Sequence, residues 1–209
     1  MINMRSYSYS MTDCVIPEGV NCSNYYEKFY YMRYLNSVQL PDSYVGDLYR
    51  TFAECYNIKT GFCPNGVTAM TGTFESCSGI KTAACGPNVT SMTNTYARCY
   101  NLQESICGDN VTSMNNTYTE CRNLKNAACG PNVLYMDNTY KYCNSLTEAV
   151  CGPNVESMVN TYANCTNLTT PVCGEKVTRM INAYAGCNKI IEGVCGNSVT
   201  DMSFAYNNC

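Results

Sequence analysis

The residues with the most chemical potential in this chain are its seventeen cysteines. Fifteen of them form two series. Cys55, Cys77, Cys99, Cys121, Cys143, Cys165, Cys187 and Cys209 stand 22 apart, and so do Cys63, Cys85, Cys107, Cys129, Cys151, Cys173 and Cys195. A member of the second series follows each of the first seven by eight positions. Thiols at such spacing could bind metal, form disulfides, or pack as free thiols. A metal centre needs about four ligands converging in one cluster. Here there is no C-x-x-C pair and each series runs along the chain, so no metal site is expected. Disulfides within a unit are suggested by the stretch 32–54, where both cysteines are replaced together, by Met32 and Leu40. A bridge also needs Cα atoms about 4.4–6.8 Å apart, a distance no sequence contains. Free thiols are suggested by the same replacement, since Met32 and Leu40 are ordinary core residues and free Cys packs as a small hydrophobe. Bridges and free thiols both stay open.

Other reactive chemistry is scarce. There is no histidine, the commonest general base and metal ligand. A cysteine nucleophile therefore lacks its usual partner. The sixteen acidic residues are scattered. Ser and Thr follow the repeat, whereas a catalytic site should interrupt it, and none of the seven regular units carries an insertion. We expect no enzyme and no cofactor. The net charge is −3 without a basic patch, so nucleic acid is not an expected partner. No run of about 20 apolar residues is present to span a membrane. Met1 to Met11 lacks the apolar core of a secretory signal. The chain then stays inside the cell, leaves by another route, or has its signal elsewhere. Six Asn-x-Ser/Thr sequons, at Asn21, Asn88, Asn110, Asn115, Asn164 and Asn167, are expected by coincidence in a chain this rich in Asn and Thr.

The cysteine register also exposes what must position these groups. Seven units of equal length run from Cys55 to Asn208, each with the 22-position period of the cysteines. Three after the first Cys stands Ile or Leu, from Ile58 to Ile190. Twelve after it stands Val, from Val67 to Val199. Fifteen after it is Met, from Met70 to Met202. Nineteen after it is aromatic, from Phe74 to Tyr206. One altered unit, 32–54, precedes them and is longer by one position. Residues 1–31 read as an irregular N-terminal cap, because terminal repeats are usually atypical. The domain reading is thus a cap at 1–31 and a repeat array at 32–209 with a truncated end.

This period, with its recurring Leu, falls in the leucine-rich-repeat range. The run N-V-T-x-M-x-x-x-Y-x-x-C-x-x-L, Asn110 to Leu124, resembles the repeat of the BspA-like leucine-rich-repeat family. Leu35-x-x-Val38-x-Leu40-Pro41 resembles that family's strand segment. The resemblance covers about residues 16–209. It departs in the unit length and in Cys where the family usually has Ile before the turn. It implies an α/β repeat: a right-handed solenoid with short parallel strands on its concave side and short helices or turns on the other. Glu104 to Cys107 would be such a strand, and Gly108 would supply turn geometry. Met114, Tyr118 and Cys121, at i, i+4 and i+7, would be one face of a short helix. The Val, Met, Leu and Tyr series would be core ladders, with the Tyr hydroxyls needing partners if buried. Asn94, Asn116, Asn138, Asn160 and Asn182, just before the aromatic region, would stabilise a turn.

Function then depends on exposed positions. If strand residues alternate, the residue before the second Cys faces outward. That position holds Phe62, Ile106, Val150, Val172 and Val194, flanked by Glu104, Glu148 and Glu192. An exposed apolar row marks an interaction site; the competing reading is that the strand rotates and buries it. The family resemblance implies a protein-binding or adhesion module at the cell surface or outside the cell. An alternative is a structural subunit of a virion or filament. It is suggested by the missing export signal, the nearly uncharged surface and a last coil ending at Cys209. On that reading Val199, Met202 and Tyr206 form a subunit contact, with copies of the chain or other subunits as partners. A third reading, binding of an ice or other crystal plane, would use the threonine ladder from Thr73 to Thr161.

Overall fold

A computed structural model of the chain describes residues 10–20 and 23–209. Cys22 and the Asn21 sequon lie outside the described residues, as do the first nine positions of the expected cap. The described residues hold four short strands: β1 (Asp13–Val15), β2 (Ser37–Gln39), β3 (Val45–Asp47) and β4 (Gly66–Ala69). β1 pairs in parallel with β2, and β3 with β4. From Ala69 the ladder continues as single parallel bridges through Ser91, Ser113, Tyr135, Ser157, Arg179 and Asp201. A second ladder joins Thr60, Thr82, Glu104 and Asn126, and then Glu148 and Thr170. Each of these bridges links a residue to its equivalent in the next unit, so every unit lies in register on the one after it. The strand expected over 104–107 is a bridge at Glu104 alone.

The expected ladders are the core. Val111, Met114, Tyr118, Cys121 and Leu124, with their equivalents in the other interior coils, have no exposed surface. Burying a side chain of this size contributes about 1.5–3 kcal/mol, which one coil realises only against its neighbours. The aromatic series forms a continuous pile from Phe29 through Phe52 and Phe74 to Tyr206, ring centroids 5.2–5.8 Å apart and planes within 18°. Offset stacks of this kind add about 0.5–1.5 kcal/mol each beyond burial.

The expected short helix is replaced by turns; no α-helix occurs among the described residues. Along Met92 to Cys99 the N–H groups alternate in their partners. Met92, Asn94, Tyr96 and Arg98 donate to carbonyls of the next coil, those of Ser113, Asn115, Thr117 and Thr119. Thr95, Ala97 and Cys99 donate within their own coil, to Met92, Asn94 and Tyr96. The backbone alternates because two residues per coil are left-handed: Asn94 (φ 55°) and Arg98 (φ 62°), then Asn116 and Glu120, Asn138 and Tyr142, Asn160 and Asn164. A left-handed residue every fourth position forbids an α-helix. Asn recurs at the first of these places because it tolerates positive φ. The expected turn placement holds, but it rests on the left-handed backbone of these residues and not on a side-chain bond to backbone.

One further reading is corrected and one is refined. The Thr73–Thr161 ladder is fully buried, so it presents no plane to a crystal surface. Its hydroxyls are used inside: Thr117 Oγ1 donates to the carbonyls of Met92 (2.8 Å) and Met114 (2.7 Å). Gly108 opens the expected turn, its carbonyl accepting from the Val111 N–H at 3.2 Å, without being left-handed; the glycines with positive φ are Gly19, Gly46, Gly72 and Gly186. A glycine is needed at this place for space as well. A Cβ at Gly108 would lie 3.0 Å from Cys85 Sγ in the coil before, and one at Gly174 would lie 2.9 Å from Cys151 Sγ.

Candidate interaction surface

The side that carries the Glu104 ladder is built on the aromatic pile. Each tyrosine hydroxyl reaches the residue before the second Cys of its own unit. Tyr140 accepts from the Ala128 N–H (2.9 Å) and donates to the Ala128 carbonyl (2.5 Å). Tyr118 does the same with Ile106, Tyr162 with Val150, Tyr184 with Val172 and Tyr206 with Val194. These are the partners the buried hydroxyls needed. They turn the peptide at this position toward the core, which is why bridges form at Glu104 and not at Ile106, and why strict alternation fails. In the first regular coil Phe74 has no hydroxyl. There Phe62 fills the place, its ring 4.9 Å from Phe52 and 5.5 Å from Phe74.

The predicted row therefore divides. Ile106, Val150 and Val172 are half-buried and Val194 is 36% exposed, while Phe62 is half-buried and packs on the aromatic pile. Val172 also packs against the core. Glu104, Glu148 and Glu192 are exposed. Glu148 and Val150 come together in a cleft of about 210 Å³ whose other lining residues are Lys125, Asn126, Ala127 and Thr147. Elsewhere on this ladder the coils are tied by N–H groups such as Lys125 to the Gln103 carbonyl (2.8 Å) and Thr169 to the Thr147 carbonyl (3.0 Å). The cleft lies between these two ties.

The cysteines are free thiols at all sixteen described positions. The first series is buried in the interior coils and satisfied: Cys143 Sγ donates to the Tyr118 carbonyl at 3.0 Å. The second series lies half-buried behind the Val150 row, and Cys195 is exposed. Burial pushes the Cys107 and Cys151 thiols up to about 11 and Cys129 up to about 12. Neutral thiols are poor nucleophiles and poor ligands, so Cys107, Cys129 and Cys151 are chemically quiet at neutral pH. In the last coil Val199 and Tyr206 are half-buried and Met202 is 45% exposed, where the equivalent Met180 is buried.

A family model of the BspA-type leucine-rich repeat region, in six copies, matches residues 3–125 and 92–192. The chain belongs to the BspA-type leucine-rich-repeat family. A leucine-rich repeat protein of T. pallidum shares the fold, with a TM-score of 0.59 at 16% identity over 90% of this chain and 86% of that one. A leucine-rich repeat protein from Bacteroides ovatus (TM-score 0.48, 17% identity, 85% of this chain) is also similar. So is a leucine-rich cell surface protein from Faecalibacterium prausnitzii (TM-score 0.49, 19% identity, 77% of this chain). The chain spans 59% of the length of each of these two. None of the curated proteins matches it.

Asn126 stands at the repeat position of Glu104 and Glu148, so for this BspA-type chain the repeat marks it as a flank of the row, whereas it does not mark Lys125, Ala127 and Thr147 as neighbours of Val150. Thr147 shares the coil of Val150, while Lys125 and Ala127 belong to the coil before, and only the stacking of equivalent positions in successive units could have pointed to them.

Proposed function

We propose that this chain is a right-handed leucine-rich-repeat solenoid working as a non-enzymatic protein-interaction module, with the Glu104 side as its binding face. The observation that carries the reading is the row Ile106, Val150, Val172 and Val194, partly open to solvent and edged by the exposed Glu104, Glu148 and Glu192. An apolar strip edged by carboxylates suits a protein partner with an apolar ridge flanked by basic side chains. Family membership supports the finer form, adhesion at a cell surface. The test is binding of purified protein to cells or an extracellular matrix, compared with a Val150→Glu, Val172→Glu double variant. Lost binding with an unchanged melting temperature supports the face. Undiminished binding, or a collapsed fold, counts against it.

A second reading makes Val199, Met202 and Tyr206 a contact surface in an assembly. It is favoured by the backbone: Met180 N–H donates to the Asp201 carbonyl of the next coil, whereas Met202 has no such partner among the described residues. Any further coil in register, from this chain or another molecule, would cover that edge. Native mass spectrometry of the chain and of Met202→Lys decides. A monomer in both cases, with equal stability, removes the reading.

A further inference from the structure

The chain breaks its period at the unit 32–54, which is longer than the regular units by one position. The pairing of β3, which lies in that unit, with β4 of the next carries an irregularity of its own. Val45 and Gly46 pair with Gly66 and Val67, but Asp47 pairs with Ala69, so Thr68 bulges out. Bulges re-aim side chains and gather next to functional sites. Here the bulge sets the Asp47 carboxylate on the wall of a cavity of about 320 Å³, lined also by Tyr26, Tyr49, Ala69 and Thr71. Thr68 Oγ1 donates to Asp47 Oδ1 at 2.8 Å and fixes the carboxylate. The Tyr26 hydroxyl reaches Oδ2 only at 3.5 Å.

Tyr26 and Tyr49 are 45% and 44% exposed, with ring centroids 5.9 Å apart and planes at 71°. Among the described residues Asp47 has no ion pair; the nearby Arg50 is engaged by Glu27 (3.5 Å) and Glu75 (3.2 Å). The cavity therefore combines two tyrosine rings in edge-to-face contact with a carboxylate that has no ion pair among the described residues. Both attract positive charge. A sugar ring would want a flat aromatic platform, and these two walls do not make one. A hard metal ion wants about six oxygens, and the cavity offers one carboxylate.

We propose that this cavity binds an organic cation, an alkylammonium or guanidinium group, held by the Tyr26 and Tyr49 rings and paired with Asp47. The site lies on the β3–β4 ladder, so it is independent of the Glu104-side face.

The experiment is a calorimetric titration of the full chain with choline, with 3,3-dimethyl-1-butanol as the uncharged isostere and with N-acetyl-arginine amide. Amide chemical shifts locate the site. Saturable choline binding at residues 26, 47 and 49 is expected, with the uncharged isostere weaker by about tenfold or more. Asp47→Asn and Tyr49→Leu should each weaken choline by about tenfold while the melting temperature stays put. Whichever of choline and the arginine amide binds more tightly distinguishes a small quaternary ammonium from a partner's side chain. Equal binding of the isostere overturns the proposal. So does the absence of saturation, or wild-type affinity in the variants. A neutral monosaccharide that binds there in place of the cations also overturns it. If Asp47→Asn disturbs the bulge and unfolds the coil, Tyr26→Leu and Tyr49→Leu, which leave the bulge intact, carry the test alone.

Discussion

Replacing Tyr140 by Phe removes one oxygen and leaves the aromatic pile whole. The neighbouring rings, Tyr118 at 5.5 Å and Tyr162 at 5.3 Å, keep their stacking partner. What is lost is the hydroxyl that accepts from the Ala128 N–H and donates to its carbonyl. Each buried backbone group left unsatisfied costs about 1–3 kcal/mol, and Ala128 is only half-buried, so we expect about 2–4 kcal/mol for the pair. In a stack of coils the loss should appear first as local opening. The Ala128 amide should then exchange with solvent about 30- to 1,000-fold faster, the same energy expressed as a population. Amide hydrogen exchange reads this directly, and urea unfolding gives the global figure. Unchanged protection at Ala128 with a stability loss under about 0.5 kcal/mol would refute the bracing role of the tyrosine ladder. Phe74→Tyr is the converse. It should bring no gain, because the Phe62 ring, packed on Phe52 and Phe74, already fills the space that hydroxyl would need.

Met136→Ala in the middle coil should cost about 2–5 kcal/mol by chemical denaturation, and a loss under about 0.5 kcal/mol would argue that the core register is wrong. Gly108→Ala should cost about 1–3 kcal/mol through contact with Cys85 Sγ, and a double-mutant cycle with Cys85→Ala should recover part of it; strict additivity would disprove the contact. Denatured, unreduced protein should titrate seventeen sulfhydryls, whereas a count near one would mean eight bridges. Burial raises Cys107 and Cys151 to about 11, and Cys55 and Cys129 to about 12, from an ordinary 9.0. The unfolded chain therefore releases these protons first. Their contribution is complete below pH 9 and is lost as pH rises toward 11–12, at up to about 1.4 kcal/mol per thiol per pH unit. A urea midpoint that stays level from pH 8 to 10.5 would contradict this.

The period, the register and the inward residues were legible in the sequence alone. A coil that cannot bury its own apolar side must stack on its copies, and stacking forces the same residue types to recur at a fixed period. Val111, Met114, Tyr118 and Leu124 announce their burial by recurring. Recurrence says which side chains face in, but not what path the backbone takes between them. Met114, Tyr118 and Cys121 satisfy helical spacing, yet two left-handed residues per coil carry them inward on turns. The asparagine series was the available signal, since Asn tolerates positive φ. The glycine that follows the second cysteine in six units opens a turn, as it looked to, and also leaves clearance for a sulfur in the coil before, which recurrence alone did not show. The threonine ladder looked like a candidate surface and proved to cap buried carbonyls.

The two cavities lay further from view for the same reason. Tyr26, Asp47 and Tyr49, or Lys125 and Val150, meet only because coils are laid side by side at a register that includes one bulge. Composition and periodicity are properties of one coil. Which polar groups find partners, and which stay open to another molecule, is decided between coils, where hydrogen bonds and sulfur contacts cross from one unit to the next.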